Sequence, residues 1–171
     1  MFGGHGSRAM LEITDRLEEM ASQVQVILIC GHNDKLVENL RSQPGRLRKH
    51  IVGFTTDVPY YMSLCDFFIG KPGPGSISEA LAMHLPVIVE RNASTLPQER
   101  YNTRWIEEMG VGIVVHGFRF TAGAVGRMLE PEMMSLFRAR AASLSNRAVF
   151  EIPAMLCQIL QGTSRQRIAS A

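Results

Sequence analysis

The chain has 171 residues, 46% hydrophobic and 20% charged, with 18 basic against 16 acidic side chains and a net charge of +2. That length and composition fit one domain with a real core and exclude a disordered or collagen-like chain, and so even a charge balance gives no electrostatic case for nucleic acid as a partner. Three separated cysteines, Cys30, Cys65 and Cys157, form neither a zinc pattern nor a disulfide framework, and reduced thiols in a cytoplasmic protein are the expectation.

The elements follow in chain order. Met1-Phe2 leads at once into Gly3-Gly4-His5-Gly6-Ser7. A glycine-rich loop ordinarily follows a buried strand, so the start reads as a fragment cut just before or inside its first strand, with Met1 either an added start or the stub of that strand. Met10, Ile13, Leu17, Met20 and Ala21 make the apolar stripe of a helix over Arg8–Ser22. Val24–Cys30 is a short β-branched run suited to a strand buried on both faces. Its apolar stretch is far shorter than the roughly 20 residues of a membrane span.

Asn33-Asp34 predicts the cap of a helix to about Arg41, broken at Pro44-Gly45. Ile51–Phe54 predicts a strand, and Thr56-Asp57 with Pro59 opens a short helix. Phe67–Ile69 predicts a strand that ends in Gly70-Lys71-Pro72-Gly73-Pro74-Gly75-Ser76, ahead of a helix over Ile77–Met83. Then come a strand over Pro86–Val89, a helix over Gln98–Met109 stopped by Gly110, and a strand over Val111–Val115. Helices over Thr121–Leu129, Glu132–Leu144 and Phe150–Leu160 complete a domain over 1–161, with a flexible polar tail over 162–171.

This alternation predicts an α/β fold: a Rossmann-like, doubly wound parallel sheet of five or six strands with helices on both faces. Ligands of such sheets bind beyond the carboxyl ends of the strands, and four segments with usable chemistry fall at that edge. The Gly3–Ser7 loop can present amides to a phosphate. Gly4-His5-Gly6-Ser7-Arg8-Ala9 also matches the dinucleotide fingerprint formally, but no acidic residue ends the next strand.

Gly70–Ser76 is a second such loop, and Glu79 lies one turn into its helix. Ser76-Ile77-Ser78-Glu79 has the spacing of a capping box, and spacing alone favours that over a carboxylate that accepts from two vicinal ribose hydroxyls. Gln98 and Glu99 open a helix with polar groups suited to sugar hydroxyls, or simply to a polar first turn. Gly53-Phe54-Thr55 ends a strand where free backbone groups can read the edge of a base.

Taken in order, Gly70–Leu81, Leu85–Ile88, Gln98-Glu99 and Asn102 resemble the donor-binding half of glycosyltransferase family 28, which has the B-type fold. Phe2–Ser7, Ile29–Asn33 and Gly53–Thr55 fall where that family carries its other loops, and the resemblance runs from Met1 to about Phe118. The family includes galactolipid synthases and the peptidoglycan N-acetylglucosaminyltransferase.

The resemblance implies the C-terminal half of an enzyme that moves a hexose from a UDP-sugar to an acceptor hydroxyl. UDP-sugar is then a substrate, and no cofactor is implied. Gly4, His5, Gly6 and Ser7 would face the diphosphate or sugar, the backbone of Phe54-Thr55 the uracil, and Gly75 and Ser76 the phosphate. Glu79 would bind ribose, Gln98 and Glu99 the sugar, and Lys71 would offset diphosphate charge.

His5 stands where the family often has serine or an acid; it either approaches the leaving phosphate or is a turn residue. The general base and the site for a sugar or lipid acceptor would lie in an N-terminal domain outside this chain. The chain alone would then bind UDP and turn over little, and membrane contact would belong to the full-length protein. The chain holds no Asp-x-Asp, and metal independence is the expectation. A UDP-sugar epimerase domain, a nicotinamide-binding domain and a non-catalytic nucleotide-binding module are the competing readings.

Overall fold

A computed structural model describes the backbone of residues 1–169 and the side chains of 1–148 and 150–161. Five strands alternate with helices: α1 (Ala9–Leu17), β1 (Gln25–Ile29), α2 (Asp34–Ser42), β2 (Arg48–Val52), α3 (Val58–Ser63), β3 (Phe68–Gly70), α4 (Pro74–Ala82), β4 (Val87–Glu90), α5 (Pro97–Met109) and β5 (Gly112–Val115). Three helices close the chain, α6 (Thr121–Met128), α7 (Pro131–Ser143) and α8 (Ala148–Ala169). The expected flexible tail over 162–171 falls where side chains, and for residues 170–171 the backbone too, lie outside the described residues.

All strand pairs are parallel, but the strands form two sheets rather than one. β1 pairs with β2, from Gln25 opposite Arg48 to Ile29 opposite Val52. The other sheet has the order β3-β4-β5. Met1 lies between the sheets, its amino group donating to the Ile69 carbonyl at 3.1 Å. The chain therefore runs outward in one direction through β1 and β2, then returns past its own start and runs outward in the other through β3, β4 and β5.

β4 shows why helices cover both faces. Successive side chains of a strand point to opposite sides. Ile88 enters one apolar cluster with Met10, Leu17, Val125 and Met128, while Val87 and Val89 enter the other with Ile77, Ala80 and Ile106. All three β4 residues are fully buried. Truncating Ile88 to alanine removes contacts from a site with little room to collapse. We expect a loss of about 3 kcal/mol and a melting temperature lower by about 10 °C, measured by calorimetry. A drop under about 2 °C would contradict this packing.

Two boundaries differ from the sequence expectation. β2 starts at Arg48, not Ile51, because it is an edge strand and its outward positions carry Arg48 and His50. The helix after the first glycine loop stops at Leu17, with only a turn of 3-10 helix beyond it. Glu18 is turned instead onto the segment ahead of β2, accepting from the amides of Arg46 at 2.7 Å and Leu47 at 3.2 Å.

Candidate functional site

The loops that follow the strands line one edge. At its centre is Gly3–Ser7, which turns through left-handed backbone at Gly3 and Gly6. It is locked onto the loop after β1. The His32 amide donates to the Gly4 carbonyl at 2.8 Å, and the Asn33 side-chain amide donates to the His5 carbonyl at 3.0 Å. Gly31, also left-handed at φ +62°, has no room for a side chain, since a Cβ there would lie 2.1 Å from the Gly4 oxygen. Asn33 does double duty: its oxygen caps α2 by accepting from the Leu36 amide at 3.0 Å.

Next in the row is the loop after β2. Phe54 is exposed and stacks on His32, with ring centroids 4.0 Å apart and planes inclined by 18°. His5 lies beyond, its ring centroid 6.3 Å from that of His32. Thr55 accepts from the Asp57 amide at 3.0 Å, which fixes the turn into α3. The side chains of His5, His32 and Phe54 thus form an exposed row at the strand tips.

On the other side of Gly3–Ser7 stands the loop after β3. The helix behind it starts at Pro74, with Gly73 as its N-cap, three residues ahead of the expected start at Ile77. Ser76 is therefore inside the first turn and not at the cap. The expected capping box does not form, and no side chain caps this helix. The Glu79 side chain is exposed and makes no hydrogen bond or ion pair among the described residues. Glu79 and Ser76 are one turn apart on the same face of α4. A Cβ on Gly4 or Gly75 would meet nothing within 4 Å, so both glycines border open space.

Lys71 and Glu99 come together across the loop. Lys71 Nζ is 4.0 Å from Glu99 Oε1, with the carboxylate largely buried and the ammonium half exposed. At that separation and exposure the pair adds little stability, which leaves the ammonium available to another anion. Asn102 donates to the Pro72 carbonyl at 2.8 Å and so fastens the loop to α5. Gln98 is exposed in the first turn of α5.

Electrostatically, the edge offers two helix N-termini, those of α1 and α4, on either side of the point where strand order reverses. Such a crevice is where open α/β sheets bind ligands, and paired N-termini favour a phosphate there. Gly4, His5, Gly6, Ser7, Lys71, Gly75, Ser76, Gln98 and Glu99 belong to loops or first turns at this edge and Glu79 to the second turn of α4, with Phe54 and Thr55 further along. Sequence reasoning gave no site role to His32, Asn33 or Asn102. Asn33 carried a cap signal, but its bond to His5 and the His32–Phe54 stack join loops far apart in the chain.

Comparison with known proteins agrees with this architecture. The family model described as glycosyltransferase family 28 C-terminal domain matches residues 2–151. The chain is 33% identical over 133 residues to monogalactosyldiacylglycerol synthase 2, chloroplastic, of Arabidopsis thaliana, covering 74% of this chain and 28% of that protein. It is 34% identical over 131 residues to a probable monogalactosyldiacylglycerol synthase 3, chloroplastic, of Oryza sativa subsp. japonica, covering 75% of this chain and 25% of that one. The chain thus spans only 28% and 25% of the length of these two relatives.

Among solved structures, Acinetobacter baumannii MurG superposes with a TM-score of 0.73 at 14% identity, over 91% of this chain and 47% of that one. The glycosyltransferase SnogD from Streptomyces nogalater gives 0.57 at 20% identity, over 88% and 39%. At those identities the likeness is one of fold.

Proposed function

The chain belongs to the glycosyltransferase family 28 C-terminal domain family, and on that footing we propose that it is the donor-binding half of a hexosyltransferase that uses a UDP-sugar. The observation that carries this is the unpaired carboxylate of Glu79 on α4, beside the amides of a helix N-terminus at the sheet's reversal point. The diphosphate would lie between Gly4–Ser7 and Gly75-Ser76, with Lys71 near it. Uracil would meet the backbone at Phe54-Thr55, and Gln98 and Glu99 would face the sugar.

In the reaction, an acceptor hydroxyl attacks the anomeric carbon and UDP departs. Charge grows on the leaving diphosphate, and amides already aimed at it stabilise that charge without reorganising. A general base must take the acceptor's proton. His5 is exposed at this edge and has its backbone held by Asn33, but the acceptor and the base are expected from an N-terminal domain. The chain alone is then a binding domain with little turnover. The galactolipid-synthase relatives favour a lipid acceptor. Among the described residues no helix is long and apolar enough to cross a membrane.

Titration calorimetry tests the reading. UDP is expected to bind at least about tenfold more tightly than GDP or ADP, a difference of roughly 1.4 kcal/mol, with NAD silent. EDTA is expected to leave the UDP affinity unchanged, since backbone amides and Lys71 supply the positive potential. Equal, weak binding of all three nucleotides would remove the uridine assignment. Loss on EDTA with recovery on a divalent ion would remove the metal-independent one.

A further inference from the structure

Residues 91–96 join β4 to α5 and set where that helix begins. They form a closed turn. The Asn92 amide donates to Thr95 Oγ1 at 2.9 Å, and the Thr95 amide returns to the Asn92 carbonyl at 3.2 Å. Asn92 Oδ1 accepts from the amide of Ser94 at 2.9 Å and from its hydroxyl at 2.6 Å. Thr95 is buried, although Ala93 and Ser94 ahead of it are exposed.

Arg100 reaches back over this turn from α5. Its Nε donates to the Thr95 carbonyl at 3.2 Å and its Nη2 to the Ala93 carbonyl at 3.4 Å. Both donors sit on one planar group, so a single side chain fixes two carbonyls relative to each other and to the helix. The next carbonyl, that of Leu96, takes the amides of Glu99 at 2.9 Å and Arg100 at 3.1 Å. Gln98 and Glu99 therefore sit in a first turn whose approach is held from outside by Arg100. The N-cap residue Leu96 offers no side-chain cap, which leaves the angle of entry to this clamp.

We propose that Arg100 is a positioning residue for donor-sugar specificity: by bridging Ala93 and Thr95 it holds Gln98 and Glu99 where they read the hydroxyls of the hexose. This rests on the assignment of those two residues to the sugar and adds the element that makes them discriminating. A site separates two epimers only if its donors and acceptors are in place before the ligand arrives; side chains free to follow the ligand pair with either one. Glu99 has a second restraint in Lys71 at 4.0 Å, and α5 has one in Asn102. Both act from the loop after β3, so the side towards β4 depends on Arg100. Arg100 itself is assigned to neither sugar nor phosphate, and its effect travels through the turn.

Titration calorimetry with UDP-galactose, UDP-glucose and UDP tests this. The two nucleotide sugars differ only in configuration at one carbon and carry equal charge, so the ratio of their affinities reads the sugar contacts alone. The parent is expected to favour one of them by at least about tenfold, and Arg100→Gln to shrink that to under about threefold. Affinity for UDP itself should stay within about twofold and the melting temperature within about 3 °C. Arg100→Lys keeps the charge but not the planar fork, and should resemble Arg100→Gln. Thr95→Val undoes the same turn from inside with little change in size, and the double variant should lose little more than either single one. With no nucleotide present, Arg100→Gln should quicken hydrogen exchange at the Thr95 and Glu99 amides by about tenfold.

A parent-like epimer ratio in Arg100→Gln would overturn the proposal, and so would unchanged exchange at Thr95 and Glu99. Full recovery of the ratio by Arg100→Lys, or a fall in UDP affinity that matches the fall for the sugars, would overturn it too, since either means that the side chain acts through charge. A parent that binds UDP tightly but both epimers alike overturns it while the uridine reading survives. A parent that binds no uridine nucleotide removes both.

Discussion

Replacing Glu79 with alanine is expected to weaken UDP binding by about 30- to 150-fold, or 2–3 kcal/mol, and to leave the melting temperature within about 2 °C of the parent. Both halves come from the same observation. The Glu79 side chain is exposed and has no partner among the described residues, so the fold loses nothing when its carboxylate goes. A carboxylate offers acceptor sites on two oxygens, enough for two vicinal hydroxyls, and hydrogen bonds to a charged group are the stronger kind. Glu79→Gln keeps one carbonyl oxygen and should fall between parent and alanine variant.

The ribose assignment has its own check. 2′-Deoxy-UDP lacks one of the two hydroxyls, so it should bind the parent more weakly than UDP does and lose less on the alanine substitution. If Glu79→Ala binds UDP as the parent does, the carboxylate is not a ligand. If UDP and its deoxy analogue lose equally, it acts through charge alone.

Gly31→Ala should harm both stability and binding. The backbone there is left-handed, and a Cβ would sit 2.1 Å from the Gly4 oxygen, where the His32 amide donates at 2.8 Å. A methyl group at that place forces the Gly3–Ser7 loop away from β1, and a non-glycine residue in that conformation costs a further 1–2 kcal/mol or so. We expect a total near 3 kcal/mol, a melting temperature down by about 10 °C, and UDP affinity down by at least about tenfold. Gly75→Ala makes the contrast. It lies in the first turn of α4 with nothing within 4 Å of a Cβ. It should gain about 0.5–1 kcal/mol of helix propensity while losing UDP affinity, because the methyl group occupies the place assigned to phosphate. Unchanged UDP binding by both variants would detach these loops from the site.

How much of this was legible beforehand depended on distance along the chain. Alternating apolar runs and helical stripes revealed every strand and helix, because their periodicity is local. β2 was misplaced by three residues because Arg48–His50 are polar, as an edge strand permits. Glu79 was ambiguous for a local reason too. Ser76 and Glu79 have cap spacing, and only the observed start of α4 at Pro74 shows the cap to be unused. The split into two sheets, the Gly31–Gly4 contact and the His32–Phe54 stack join residues separated by tens of positions, and no local pattern encodes them.

The outermost strand of the smaller sheet has a consequence for behaviour in concentrated solution. Arg48 is exposed at the start of β2, while Lys49 turns its ammonium back to the Gln43 carbonyl at 2.9 Å, and a second molecule approaching that margin head-on would set one Arg48 guanidinium against another. Charge at an exposed edge discourages ribbon-like stacking between molecules, so the rim of the domain is guarded against self-association.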